Sequence, residues 1–468
     1  MMFDFAIIGG GSAGLSLAAA AAQFGEKVVL FEKGEMGGDC LNSGCIPSKS
    51  LIAAAKAAQV QRSSTHFGIA AMEPKVNYAK VMAYVESVIT TIAPHDSQER
   101  FENLGVSVVR ATARFTGLRS LEAGGKTYQA RKIVIATGSR TAIPAIQGLK
   151  DVPYLTNETI FKNRGMPKHL LVLGGGPIGL EMAQAHRRLG CAVTVLEALQ
   201  PLAKDDPELS AVVLNALKLE GIDIRSQVSI AEINQVKSSI KIILRDGEMI
   251  SGSHLLVAAG RLPNIENLNL EAANVAYTPR GVTVNRGLRT SNKNVYAAGD
   301  VAGGLQFTHV ASYHAGLIIR NALFRLPIKN STDIIPWVTY TDPELAHVGL
   351  NEIEAKKRYG NTIKVLRWNF KENDRAQAEG KTAGLIKIII RKNGTILGAS
   401  FVGTGAGELI APWVLAVTQS MKISAFANMV LPYPTMGEVG KRAAISHYSG
   451  LAQNPWLRRV LGFLKVLG

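Results

Sequence analysis

Two cysteines stand close together near the N-terminus, with four residues between Cys40 and Cys45 in the stretch GGDCLNSGCIPSK that runs from Gly37 to Lys49. Metal binding and redox chemistry both use close cysteine pairs. Zinc ligands normally come as two such pairs or with histidines nearby; neither is present, so no metal site is expected and a redox-active disulfide is the better reading. Pro47 and Ser48 open an expected helix through 51–58, whose positive end favours thiolate at the pair. The third cysteine, Cys191, falls in a helix-to-strand connection and reads as a small packed side chain.

The elements that would hold this pair include two copies of one pattern. Residues 3–8 (FDFAII) form an apolar run ending in Gly9-Gly10-Gly11-Ser12-Ala13-Gly14, followed by an Ala-rich helical stretch at 15–24, a second apolar run at 27–31 and Glu32. This is the order of a dinucleotide-binding unit. Gly9 allows the tight turn, Gly11 lets the backbone approach a pyrophosphate, and Gly14 lets helix and strand pack closely. Phosphate sits at the helix N-terminus, and Glu32 is placed to accept from ribose hydroxyls.

The pattern returns with the run 170–173, Gly174, Gly176 and Gly179, a helix-like stretch at 180–189, a strand at 192–196 and Glu197; in both copies the acid follows the third glycine by eighteen residues. One such motif is weak, whereas two in full context are specific. A carboxylate at Glu197 favours NADH over NADPH, because a 2′-phosphate would meet negative charge. Arg187 and Arg188, earlier on that helix, read as solvated surface charges.

Two further apolar strands end in small-residue turns, 132–135 before ATGS (136–139) and 294–298 before Gly299-Asp300. Beyond about residue 339 the pattern changes to strand-like alternation. The run 385–390 (LIKIII), the turn Asn393-Gly394 and the return run 397–402 predict a hairpin in a separate α+β unit.

On these motifs the chain resembles the flavin-dependent pyridine nucleotide-disulfide oxidoreductases, the group of dihydrolipoamide dehydrogenase, glutathione reductase and mercuric reductase. Its matching pieces run from Gly9 to about Ala444: both glycine motifs, the cysteine segment, ATGSR, AAGRLPN (258–264), AAGDV (297–301), TDPELAHVGL (341–350) and PTMGE (434–438). The resemblance implies an α/β fold with two Rossmann-like dinucleotide-binding domains, for FAD and NAD, and a C-terminal α+β dimerisation domain. The expected divisions are 1–147 for FAD and the disulfide, 148–268 for NAD, 269–338 returning to the FAD domain, 339–445 for dimerisation and 446–468 as a tail. It further implies that Gly9, Gly11, Gly14, Glu32, Lys49, Ala113, Gly138 and Asp300 surround FAD, and that Gly174, Gly176, Gly179, Glu197 and Gly260 hold the nicotinamide dinucleotide. Lys49 and Glu181 would form an ion pair beside the flavin, Cys45 would face the flavin ring, and Cys40 would exchange with substrate. Electrons would pass between NAD(H), FAD, the Cys40/Cys45 disulfide and a thiol or disulfide acceptor, in a homodimer where Tyr433 and Glu438 reach the partner's disulfide.

The chain departs from these relatives in two places. Dihydrolipoamide dehydrogenase and glutathione reductase carry His where this chain has Tyr433, and a phenol with pKa near ~10 is a poor base at neutral pH. Mercuric reductases carry Tyr in a similar setting, yet no cysteine follows Cys191 to form their terminal pair. An NADH-dependent reductase of metal ions or quinones is therefore the alternative activity, and a basic binding protein that only keeps the flavin fold is a remote third. The second departure is the tail. From Lys441 onward there are five basic residues and no acid, with Trp456, Val460, Phe463, Leu464 and Leu467 recurring at helical spacing. An anionic membrane surface, this protein's own surface and a dimer partner are the candidate occupants of that stripe.

Hydrophobic residues make up 47% and charged ones 19% of the 468, which excludes a largely disordered chain. The net charge of +16 is concentrated late: 17 basic against 9 acidic residues from Thr339 onward. Aromatics are only 6% and do not cluster with Lys or Arg, so no nucleic-acid partner is expected. The glycines at 9–14 break the longest uncharged stretch, no basic segment precedes it, and three cysteines make no disulfide framework. A cytoplasmic protein, with membrane association at the inner face as a further option, is the expectation.

Overall fold

The computed structural model describes residues 2–466; Met1, Gly468 and Leu467 of the expected tail stripe lie outside them. Two compact units form. One runs from the N-terminus to Leu199 and resumes over Ile222–Thr332, and the other joins Gln200–Gly221 to the chain from Asp333 onward.

In the first unit the strands Ser107–Val109, Val28–Phe31, Met2–Ile8 and Lys126–Ile135 lie side by side and parallel, and Val295–Ala297 adds to the far edge of the last. Their central stretches, 5–8, 28–31 and 133–135, are apolar without a break because both faces are covered. Ile7, Leu30 and Val134 pack under the helices Ser12–Gln23 and Thr308–Phe324. The alternate residues Ala6, Ile8, Val29, Phe31, Ile133 and Ile135 meet Phe115, Leu121 and Leu268 on the other side. Register brings Ile8, Phe31, Ile135 and Ala297 level at the carboxyl ends. Gly9, Glu32, Ala136 and Ala298 therefore begin one rim.

A second parallel sheet, ordered Asp223–Arg225, Ala192–Leu196, His169–Leu173, His254–Val257, repeats the arrangement with Leu173, Leu196 and Val257 level. Its helix is Pro177–Arg188. Arg188 on that helix is buried and Arg187 half-buried, against the expectation of solvated charges. The helix packs on most of its sides, and the Arg188 carbonyl accepts from Arg62 at 2.6 Å.

The second unit is built on a five-stranded antiparallel sheet, ordered Trp337–Thr339, Glu344–Gly349, Ile396–Gly403, Leu385–Arg391, Ile363–Asn369. The expected hairpin is its centre, with Ile390 opposite Ile396. Ile386, Ile388, Ile390 and Phe401 point into a core with Trp413 and Phe426, whose rings stack at 3.8 Å. The opposite face carries a polar row in register, Arg367, Lys387, Ser400, His347 and Trp337. Residues 200–221, which fall within 148–268 in sequence, belong here because the helix Pro207–Leu219 presents its capping Asp206 to Lys387 at 2.7 Å.

Candidate functional site

The rim of the first sheet begins at Gly9, whose φ of +111° and closeness to the Ala136 carbonyl exclude any side chain. Gly174 has φ +112° and the same closeness to Ala258. At Gly14 and Gly179 an added Cβ would run into the carbonyls of Gly9 and Gly174. Around Gly11 and Gly176 there is room instead. The nearest atom to a Cβ at Gly11 is Gly38 Cα at 3.7 Å, and nothing lies within 4 Å at Gly176. Each loop thus keeps an open cradle at a helix N-terminus, which suits a pyrophosphate.

Glu32 accepts from the backbone N–H of Gly10 and of Gly34, both at 2.6 Å. Glu197 does the same with Gly175 and Leu199, both at 2.7 Å. Both carboxylates are thereby fixed at their strand ends, and each oxygen keeps a lone pair for a ribose hydroxyl.

Cys40 lies in the short helix Gly38–Asn42 and Cys45 is the first residue of the helix Cys45–Arg62, two residues before the expected start. Both stand as free thiols, the reduced form of the pair. Cys45 Sγ is 3.3 Å from Thr308 Oγ1, at the start of the helix Thr308–Phe324. A hydrogen bond from Cys40 lowers the Cys45 thiol to about 6 against burial, helped by Thr308 and the Lys49 ammonium. The same hydrogen bond, burial and the Cys45 charge push Cys40 upward. The pair is therefore asymmetric, with the negative charge resting on Cys45. One turn on, Lys49 Nζ meets Glu181 Oε2 at 2.8 Å; Glu181 is on the helix Pro177–Arg188, 6% exposed.

A second polar chain runs beside the cysteines. Asp39 Oδ1 accepts from Ser43 Oγ at 2.7 Å and Asn157 Nδ2 at 2.8 Å, and Asp39 Oδ2 is 3.0 Å from Arg261 Nη2. Arg261 also donates through Nε to Ser139 Oγ at 2.8 Å, and Ser139 donates to Asp300 Oδ2 at 2.5 Å. Burial raises the Asp300 carboxyl, opposed by Ser139 and Arg261. Antiparallel pairing of Arg261–Pro263 with Ser139–Thr141 brings these residues together, and it seats Gly138 and Gly260 in the same crossing.

Ala113 is buried in the strand Ala113–Gly117. Tyr433 and Glu438 lie in the other compact unit. Tyr433 is 68% exposed and donates to Asp374 Oδ2 at 2.9 Å; that bond raises its phenol further. Cys191 is buried, and burial pushes its thiol up to about 11. Among the described residues, no group of three or more His, Cys, Asp or Glu is placed to hold a metal ion. Asp39, Asn157, Ser139, Arg261, Thr308 and Asp374 were not singled out from sequence. Arg261 and Ser139 lie inside recognised segments, AAGRLPN and ATGSR, where attention to the charged or hydroxyl residue would have found them.

The comparisons bear on this arrangement. The streptomycete mercuric reductase of Streptomyces lividans is 34% identical over 462 residues, covering 96% of this chain and 97% of the relative. The dihydrolipoyl dehydrogenase of Thermus scotoductus is 35% identical over 455 residues, 93% and 95% of the two chains. A Cu(II) complex of the HOCl-induced flavoprotein disulfide reductase RclA from Escherichia coli superposes with a TM-score of 0.85 at 26% identity, covering 95% of this chain and 99% of that one. Family models match residues 3–315 as pyridine nucleotide-disulphide oxidoreductase and 335–444 as its dimerisation domain. This family uses FAD and NAD(P)H, and the two open glycine loops suit two dinucleotide pyrophosphates. With cradles, cysteine pair and dimerisation domain all in place, the chain belongs to the pyridine nucleotide-disulphide oxidoreductase family.

Proposed function

We propose that the protein is an NADH-dependent disulfide oxidoreductase of the dihydrolipoamide dehydrogenase type, acting on a thiol or disulfide acceptor. The carrying observation is the placement of the Cys40/Cys45 pair, with Cys45 Sγ 3.3 Å from Thr308 Oγ1 and one turn before Lys49, which meets Glu181 at 2.8 Å. FAD and NADH, when bound, would supply two electrons in the form of one hydride, which with a proton from solvent reduce the Cys40/Cys45 disulfide to the dithiol. Glu197 disfavours a 2′-phosphate, and the Gly11 and Gly176 loops orient the pyrophosphates. Lys49, paired with Glu181, keeps a positive charge near Cys45 and holds it as thiolate. Cys40 attacks the acceptor disulfide and one acceptor sulfur leaves as thiol. Cys45 then displaces the second and re-forms the Cys40–Cys45 bond. A homodimer, in which a second copy brings Tyr433 and Glu438 to the pair, belongs to this reading.

Tyr433 favours a second reading, reduction of a soft metal ion or a quinone, because a phenol raised by Asp374 is a weak base for thiol exchange. Steady-state oxidation of NADH and NADPH by the purified protein against lipoamide, glutathione disulfide, quinones and metal ions decides between them. Turnover with a disulfide, faster with NADH, is expected. Turnover confined to quinones or metal ions overturns the first reading.

A further inference from the structure

The C-terminal helix Pro455–Leu464 is well made locally and buries nothing. Asn454 caps it, accepting from Trp456 N at 2.9 Å, and Pro455 fills the first turn. No residue of the helix is buried; Trp456 is 69% and Phe463 66% exposed. A helix this short is marginal in water without packing. Its stability has to come from whatever covers the apolar side.

At about 100° per residue, Phe463, Trp456, Val460, Leu464, Leu457 and Leu461 share an arc of roughly 160°. Arg458 lies toward the opposite side, and Arg459 and Lys465 border the arc, one at each edge. All three basic side chains are exposed. A tryptophan and a phenylalanine on the apolar side, with only basic charge on the other, is the make-up of a helix lying in a lipid interface. Charge decides between the possible occupants. Lys441 to the end holds five basic residues and no acid, and the chain carries +16 overall, so a second copy would bring charge of the same sign. An anionic bilayer brings the opposite sign. We infer that this helix is a peripheral membrane anchor that seats its Trp456/Phe463/Leu464 face in the headgroup region of an anionic bilayer. No helix among the described residues is long and apolar enough to cross a membrane, so the attachment is to one surface.

The test is vesicle flotation of the full-length FAD-loaded protein. Phosphatidylcholine vesicles are compared with vesicles containing about 30% phosphatidylglycerol, near ~0.1 M and near ~1 M salt. Binding to the anionic vesicles alone, weakened at high salt, is expected. Trp456→Ser/Phe463→Ser and Arg458→Glu/Arg459→Glu should each reduce it roughly tenfold or more, with flavin content and NADH oxidation unchanged. No flotation, equal binding to both vesicle types, or variants that bind like the parent overturn the inference. So does a fall in oligomeric state in the Trp456→Ser/Phe463→Ser protein, which would place the helix between copies of the chain.

Discussion

Arg261 Nη2 stands 3.0 Å from Asp39 Oδ2, so the residue immediately before Cys40 is held by a guanidinium from the short strand Arg261–Pro263, which pairs with Ser139–Thr141. Arg261 is 13% and Asp39 36% exposed, which leaves the pair partly shielded from solvent screening. The same arginine reaches Asp300 through Ser139. One cation thus sits between the carboxylate beside Cys40 and the carboxylate that follows the strand Val295–Ala297 of the first sheet.

Asp39 is expected to act on Cys40 through its charge. The hydrogen bond to Cys45 and burial raise the Cys40 thiol first, and the Asp39 charge adds to them. Asp39→Asn removes a like charge and should shift Cys40 alkylation in the reduced protein to lower pH, raising its rate at pH 8 a few-fold. Arg261→Met leaves the carboxylate unpaired and should shift it the opposite way. If both variants keep the parent profile, the pair is structural only.

Lys49 is expected to act on the other sulfur. In the reduced protein Cys45 should become thiolate as pH rises through about 6, seen as a long-wavelength thiolate-to-flavin absorbance. Lys49→Met removes a positive charge that lowers this thiol, so the midpoint should rise by on the order of one unit. Cys45→Ser should abolish the band. A band that persists in Cys45→Ser would assign the thiolate to Cys40.

Tyr433 offers a gain-of-function test. With Asp374 alongside, Tyr433→His would place an imidazole of pKa near ~6.5 next to a carboxylate, and general-base help of this kind is worth about a hundredfold or more. Lipoamide reduction by NADH should rise at least tenfold, ~10 being a cautious fraction of that. An unaltered rate would mean that the surroundings exclude lipoamide, whatever the base.

What was legible in sequence was what depends on neighbours along the chain. Gly9 and Gly14 act through a turn and a helix start within six residues, and the Leu385–Arg391 hairpin through its own turn. Cys45 and Lys49 share a helix face because they are four apart. Asp39 and Arg261 are 222 positions apart, and nothing local to either names the other. Arg188 was misread for a similar reason: its helix looks amphipathic alone, and only packing buries the charged side. Lys387 reads as one polar residue in LIKIII, with its partner Asp206 on a helix 181 positions earlier.

That lysine gives the sharpest test of how the second unit is held. Lys387 Nζ meets Asp206 at 2.7 Å, Glu352 at 2.8 Å and Glu208 at 3.1 Å, with Lys387 6% and Asp206 5% exposed. Burial alone would lower the lysine, but the three carboxylates outweigh it and hold it above its ordinary value. Lys387→Met leaves Asp206 buried without its cation while Arg367 still serves Glu208 and Glu352. The expected loss is about 3–5 kcal/mol in urea unfolding. Lys387→Met/Asp206→Leu should recover much of it, since replacing both partners by apolar groups is nearly neutral. Linkage sets the pH range. A raised lysine contributes stability below its unfolded value of ~10.4 and loses it as pH climbs through the folded one. Glu352, drawn down to about 2 by Lys356 and Lys387, contributes above its unfolded value of ~4.3 and loses that as pH falls toward 2. The gap between parent and Lys387→Met should therefore be flat from about pH 5 to 9 and close at both ends; a gap that grows toward acid would mean that the lysine is not held by these carboxylates.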